Sequence, residues 1–295
     1  MKAVVARGKG GPDVLELQEV PDPQPADDEL LVRVEAAGIN HIDLTWRAGG
    51  GIEFPAILGV DAAGRIEPTG ERVLVTGTRG TYAELVAAKK DNVFPIPDEL
   101  DASAAAALGV PYKTAWWSLV DMGGLKEGYI LLVQGAATAT GQACIDVGRV
   151  VGAKVYATTR REKLDKAREL GAEPLEYGDS KLRDLKANVV FDPVGAETFA
   201  DSVDALGREG VLVTPGAVGR ALVSFNIWTL LGKRGRIQGI GAAQASRQTM
   251  DLLIGMAASG KIRPIIDREL PLGRAAEAHR AIGARETFGN VILRP

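Results

Sequence analysis

The chain has 295 residues, enough for two domains at about 100 to 200 residues each, and its 46% hydrophobic and 25% charged content excludes a disordered polypeptide. A net charge of only −3 gives no long-range pull toward nucleic acid or an anionic membrane. The first residues lack an apolar signal core and no run approaches the roughly 20 apolar residues of a membrane span, so a cytosolic (cytoplasmic) protein is expected, with no membrane partner.

In chain order, residues 1 to about 108 read as β-rich. Strands are expected at Ala3 to Ala6, Val14 to Val20 and Glu29 to Ala37; in the last, Leu30, Val32, Val34 and Ala36 alternate with Leu31, Arg33 and Glu35. Shorter runs at Ala63 to Glu67, Arg72 to Thr76 and Tyr82 to Ala87, separated by Gly and Pro, suit a small barrel. Asp101 reads as an N-cap for a helix over Ala102 to Leu108. From Gly109 the period changes to alternating helix and strand for some 130 residues, with strands at Tyr129 to Val133, Lys154 to Thr158, Val189 to Phe191, Val211 to Thr214 and Arg236 to Gly239, which argues for a doubly wound parallel sheet. A helix near Gln248 to Ala258, a strand near Ile262 to Ile266, a helix from Gly273 to Ile282 and a strand at Asn290 to Leu293 form a tail expected to return to the first domain, with the ligand cleft between the two domains.

The unit from Tyr129 to Arg161 organises the rest. A buried strand (YILLV) runs into the small-residue turn Gln134 to Gly141, then a helix over Gln142 to Val151 and a second strand. A ligand phosphate can sit on the free N–H groups where such a helix begins. The spacing is G-x-x-T-x-x-G, from Gly135 through Thr138 to Gly141, not G-x-G-x-x-G; Ala136, Ala139 and the two threonines are small enough for close backbone approach, and the hydroxyls of Thr138 and Thr140 are extra donors. An ordinary turn that binds nothing fits this stretch equally well. The second strand adds the discriminating feature: where NAD-preferring folds place Asp or Glu, this chain has Thr158, Thr159, Arg160, Arg161 and then Lys163, a set suited to a 2′-phosphate.

The lone Cys144 lies in an apolar helical stripe and reads as a small hydrophobe, and two histidines, His41 and His279, are too few for a His-based metal site, so no metal is expected. His41 could serve as a proton donor but is favoured as structural; His279, on a helix face with Ala275 and Ile282, reads as packed. Asp43 and Asp61 could polarise a substrate or be buried carboxylates satisfied by backbone or Arg47.

With these pieces placed, the chain resembles the zinc-free quinone oxidoreductase branch of the medium-chain dehydrogenases/reductases over almost its whole length. The resemblance rests on Gly38-Ile39-Asn40 with Asp43, Arg47 and Gly49; Phe54-Pro55 through Gly59-Val60-Asp61 to Gly64; Tyr82-Ala83-Glu84; Thr114-Ala115; the turn above; Phe191 to Gly195; Gly216-Ala217; and Gly289 to Leu293. It implies an α/β protein with a GroES-like β-barrel catalytic domain (residues 1–108 and 244–295) around a Rossmann NADPH-binding domain (109–243), and a homodimer joined through the last Rossmann strands. It also implies pyrophosphate contacts from Thr138, Ala139, Thr140 and Gly141 in the turn that begins Gly135-Ala136. Thr159, Arg160, Lys163 and Tyr177 fall around the 2′-phosphate. Thr114, Pro215 to Ala217 (with Gly216), Gly239-Ile240 and Asn290 fall toward the nicotinamide. Asn40 is the polar group nearest the hydride path, with Asp43, Thr45 and Arg47 on the substrate side; a turn residue satisfying its own backbone is the competing reading of Asn40.

Zinc-dependent relatives carry Cys near Asn40 and Gly-His-Glu where this chain has Gly59-Val60-Asp61. Without a Lewis acid the resemblance implies hydride transfer from NADPH to a small-molecule quinone or α,β-unsaturated carbonyl. An enoyl-thioester reductase and a non-catalytic NADPH-binding sensor are the alternatives. Three departures stand out: Thr138-Ala139 replaces the usual Gly-Gly, Thr45 replaces a common Tyr, and Gly64 to Val73 is short by a loop of roughly ten residues.

Overall fold

A computed structural model describes all residues, Met1 to Pro295. In chain order the elements are β1 (Lys2–Ala6), β2 (Leu15–Glu19), β3 (Glu29–Gly38), α1 (His41–Arg47), β4 (Ala56–Ile57), β5 (Asp61–Ile66), β6 (Arg72–Thr76), β7 (Leu85–Lys89), β8 (Val93–Pro95), α2 (Ala102–Ala106) and α3 (Gly109–Trp116), which continues as a π-helical turn over Trp117–Met122. Then come β9 (Ile130–Val133), α4 (Ala139–Val151), β10 (Lys154–Thr159), α5 (Leu164–Glu169), β11 (Glu173–Glu176), β12 (Ala187–Phe191), α6 (Phe199–Ala205), β13 (Leu206–Thr214), α7 (Ile227–Lys233) and β14 (Arg236–Gly239). The last are α8 (Arg247–Ala258), β15 (Ile266–Pro271), α9 (Ala275–Gly283) and β16 (Asn290–Arg294). The chain divides into two units, Met1–Val110 with Ser246–Pro295, and Pro111–Ala245.

The first unit is β-rich. A sheet of order β15-β16-β3-β5-β6-β8, with β7 also on β3, accompanies a three-stranded sheet β2-β1-β4. Val32, Val34, Val73, Val75, Tyr82, Val291 and Leu293 are among its buried core residues. The alternation read in β3 is realised: Val32, Val34 and Ala36 are buried while Arg33 is exposed. The second unit is a six-stranded sheet of order β11-β10-β9-β12-β13-β14, parallel at every junction. Counted within the unit this is 3-2-1-4-5-6, the Rossmann order, and the order reverses between β9 and β12.

Several boundaries differ from the sequence reading, each for a local reason. α4 begins at Ala139 rather than Gln142, because the Thr138 side chain accepts the Gly141 N–H and caps the helix. The backbone after Asn40, for which no helix was expected, turns into α1, with the Asp43 carboxylate at the third helical position accepting the Asn40 N–H at 2.8 Å. The strand expected near Ile262 starts at Ile266: Pro264 has no N–H to give, and the Ile265 carbonyl accepts from Asn290 instead. α6 ends at Ala205 and β13 opens at Leu206, earlier than the strand expected at Val211. No helix is long and apolar enough to cross a membrane.

Candidate functional site

In the second unit, β9 delivers the chain into the turn and α4 leads it away. Gly135 turns with φ +83°, and at Gly141 an added Cβ would lie 2.2 Å from the Gly135 carbonyl oxygen, so the helix start and the turn approach closer than any side chain permits. The Thr138 hydroxyl donates to the Gly135 carbonyl and accepts from the Gly141 N–H, both at 2.9 Å. It is therefore spent on the turn and is not the extra ligand donor expected of it. What remains for an anion are the N–H groups of the first helical turn at Ala139 and Thr140, which have no intrahelical acceptor, and the Thr140 hydroxyl.

Beneath the turn lies a buried polar chain. The Thr158 hydroxyl donates to Gln134 Oε1 and accepts from the Gly135 N–H at 3.3 Å; Gln134 Nε2 donates to Ser202 Oγ at 3.0 Å; Ser202 donates to Asp192 Oδ2 at 2.7 Å. Asp192 Oδ1 also accepts the N–H groups of Val194 and Gly195 at 2.9 and 3.2 Å and the Thr198 hydroxyl at 2.9 Å. These bonds tie the ends of β9, β10 and β12 and the helix α6 into one assembly, and a fully satisfied buried network of this kind rigidifies the strand ends that carry the turn. The sequence reading did not foresee it. Its signal is polar residues set directly after buried apolar runs, Gln134 after YILLV and Asp192 after VVF.

The 2′-phosphate set is only partly presented. Arg160 is exposed at the end of β10, Lys163 is half-buried, and Tyr177 is 43% exposed with its hydroxyl 3.8 Å from where a Cβ on Gly135 would stand. Arg161 is paired with Glu176 at 3.0 Å. Three expected contacts are corrected here: Thr158 and Thr159 are enclosed, and Ala136 is enclosed with its N–H bonded to the Thr158 carbonyl at 2.9 Å. Pro215, Gly216 and Ala217 follow β13, and Gly239 and Ile240 end the neighbouring β14, joined by the Ile240 N–H to the Thr214 carbonyl at 3.0 Å. Thr114 is buried on α3. Cys144 is fully enclosed in α4, and burial pushes its thiol well up.

In the first unit Asn40 is nearly buried. Its Nδ2 donates to Asp61 Oδ2 at 2.8 Å, and Asp61 also accepts from Thr76 Oγ1 at 2.7 Å and the Val110 N–H at 2.7 Å. Asp43 is fully enclosed, its Oδ2 accepting from the Asn40 N–H and from the Tyr82 hydroxyl at 2.9 Å. The Tyr82 oxygen is also 3.2 Å from His279 Nε2. Burial raises the Asp43 pKa to about 7 and lowers that of His279 to about 3, the latter helped by the Arg47 charge. Arg47, 9% exposed, donates to the Gly10 carbonyl at 2.9 Å. Asp43 and Arg47 are thus internal, not substrate-facing as expected; Thr45 alone of the three is exposed, its hydroxyl donating to the His41 carbonyl at 3.2 Å. Asn290 is likewise held inside, its N–H and Nδ2 both donating to the Ile265 carbonyl. Beside α1 a cavity of about 580 Å³ is lined by Trp46, Ile52, Ile57, Leu58 and Arg79, the Arg79 guanidinium lying over the Trp46 ring at 4.9 Å. No three His, Cys, Asp or Glu side chains come together as a metal-binding group.

A GroES-like unit interrupted in sequence by a Rossmann unit with this phosphate turn defines a medium-chain dehydrogenase/reductase. Comparison with known proteins agrees: the zinc-binding dehydrogenase family matches residues 170–293 and the alcohol dehydrogenase GroES-like domain matches residues 26–98. The quinone oxidoreductase of Pseudomonas aeruginosa is 30% identical, over 97% of this chain and 97% of its own, and that of Mus musculus is 29% identical over 99% and 97%. The solved structure of Escherichia coli quinone oxidoreductase complexed with NADPH superposes with a TM-score of 0.92 at 26% identity, covering 100% of both chains. The chain belongs to the zinc-free quinone oxidoreductase branch of that superfamily.

Proposed function

We propose that the protein is an NADPH-dependent oxidoreductase that reduces quinones or α,β-unsaturated carbonyls. The observation that carries this reading is the phosphate turn with an exposed Arg160, in place of an acid, at the end of the second strand. The residues fit the cofactor: Gly141 lets the start of α4 close against the Gly135 carbonyl of the turn, the first turn of α4 offers Ala139 and Thr140 N–H groups to a pyrophosphate, and Arg160 matches a phosphate with paired donors. Lys163 and Tyr177 complete the 2′-phosphate side, and the Pro215 to Ala217 and Gly239-Ile240 backbone lies toward the nicotinamide.

When bound, NADPH supplies a hydride for an electron-poor acceptor. Asn40 is the proposed catalytic group. One hydrogen of its Nδ2 is held by Asp61, and the second is available to the acceptor oxygen that gains negative charge as hydride arrives. Thr45 and the cavity beside Trp46 are proposed to hold the acceptor's apolar body. The partner is proposed to be a second copy of this chain: β14 is an exposed edge strand carrying exposed Ile237, and α7, just before it in sequence, exposes Trp228 (76%) and Leu231.

The test is a calorimetric titration with NADPH and, separately, NADH. NADPH is expected to bind clearly tighter, and Arg160→Ala to weaken it about tenfold, as for loss of a charge-assisted contact, while leaving NADH unchanged. Binding of neither cofactor would overturn the reading. A following acceptor screen separates the chemistry: faster turnover of an enoyl thioester than of quinones and enones would replace the proposed substrate class.

A further inference from the structure

The buried polar chain behind Asn40 holds a tyrosine proton for which the structure offers two acceptors. Asp43, Tyr82 and His279 come from α1, the segment before β7, and α9, and all three are enclosed. The Tyr82 ring reaches them because Gly59 lies against it: a Cβ on Gly59 (φ +91°) would be 2.4 Å from Tyr82 Cδ1. The tyrosine hydroxyl has one hydrogen and two partners, Asp43 Oδ2 at 2.9 Å and His279 Nε2 at 3.2 Å.

We propose that Tyr82 and His279 are positioning residues for Asn40, acting through one proton passed along His279, Tyr82 and Asp43 that changes how the first turn of α1 holds the amide. With Asp43 ionised, His279 Nε2–H donates to the Tyr82 oxygen and Tyr82 O–H donates to Asp43. When a proton enters at His279 Nδ1, the Nε2 proton passes to Tyr82 and the Tyr82 proton to Asp43. The imidazole is neutral in both states, its tautomer reversed, and Asp43 carries the net added proton. His279 Nδ1, the entry atom, is buried with no hydrogen-bond partner.

The protonated Asp43 oxygen is a poorer acceptor than the carboxylate, so the bond from the Asn40 backbone N–H at 2.8 Å weakens, the first turn of α1 loosens, and the side-chain amide whose Nδ2 is tied to Asp61 shifts with it. The charges facing the relay favour a transition near neutrality. Burial and Asp61 on β5 raise Asp43, while burial, Arg47 and His41 on α1 keep His279 neutral. This proposal rests on the assignment of Asn40 to the hydride path.

With only two histidines in the chain, ¹⁵N-imidazole NMR of the full protein resolves His279 directly. His279 is expected to stay neutral and exchange its protonated nitrogen between pH 5.5 and 8.5, with the Asn40 side-chain amide resonance and kcat/KM for a quinone changing at the same midpoint, the latter at least threefold. Asp43→Asn is expected to freeze the tautomer and flatten all three profiles. Tyr82→Phe, the variant that keeps the ring, is expected to uncouple His279 from the Asn40 resonance. A His279 tautomer constant with pH overturns the proposal, as does a reversal that leaves the Asn40 resonance unmoved. Failure to turn over any acceptor, with both resonances still moving together, would overturn the functional reading and leave the relay standing.

Discussion

Replacing Asp43 with Asn converts the buried carboxylate into a measurable dependence of stability on pH. Asn is isosteric, and its Oδ1 can still accept from the Asn40 N–H and the Tyr82 hydroxyl. In the folded protein burial raises the Asp43 pKa from 3.8 to about 7. A raised carboxyl pKa means that the native state holds the proton over a range where the unfolded chain has released it. The resulting stabilisation is complete below the unfolded pKa and is lost as pH rises through the folded one. At about 1.4 kcal/mol per pH unit, that loss is about 2.5 kcal/mol between pH 5 and pH 8 in the wild type. Urea unfolding of wild type and Asp43→Asn, followed at both pH values, isolates this group because every other titrating side chain is shared. The wild type is expected to lose ground to the variant by that amount on going to pH 8. A stability difference that stays constant from pH 5 to 8 would refute the assignment of Asp43 as a buried group titrating near neutrality.

Thr138→Ala removes the cap of α4 and is expected to cost about 1 kcal/mol in urea unfolding, whereas Thr138→Gly costs only a few tenths. The glycine variant also frees the Gly141 N–H, and calorimetry is expected to show NADPH binding at least as tight as in the wild type. Gly141→Ala drives a methyl group against the Gly135 carbonyl and is expected to destabilise the second unit by on the order of 3 kcal/mol and to abolish NADPH binding. Ser202→Ala leaves Gln134 Nε2 and Asp192 Oδ2 each short of a buried partner, a loss of about 1 to 3 kcal/mol readable in the thermal midpoint. The proposed dimer is expected in sedimentation analysis of the wild type, and Trp228→Glu with Leu231→Glu is expected to yield a monomer; an unchanged mass would refute an interface through β14 and α7.

What the sequence made legible was whatever repeats with a short period. β9, α4 and β10 stand out because YILLV, the Ala143 to Val151 stripe and KVYAT each bury residues at the spacing of their own element. α1 was not legible: seven residues with an Asn cap and one apolar face resemble a turn, and α7 was missed for the same shortness. The site divides along the same line. Gly135, Thr138 and Gly141 lie within one turn and could be read together, although the Thr138 hydroxyl serves that turn and not a ligand. Asp43, Arg47 and Asn290 were assigned to ligand contacts through the resemblance, and Asp43 was also read as a possible buried carboxylate. Their enclosure depends on partners far away in sequence, as with Tyr82, 39 residues from Asp43 and 197 from His279.

The place of β16 has a consequence for biosynthesis. This strand lies inside its sheet, between β15 and β3, so ladder hydrogen bonds and core contacts of the first unit wait for residues translated after the whole of the second unit. The second unit is continuous in sequence and can assemble while the ribosome is still working. Until then β3 presents an unsatisfied edge that must be kept from pairing with other nascent chains. A ribosome that stops a few codons before Asn290 would release a folded Rossmann unit tethered to an open sheet, a species that chaperones and proteases can distinguish from the finished protein.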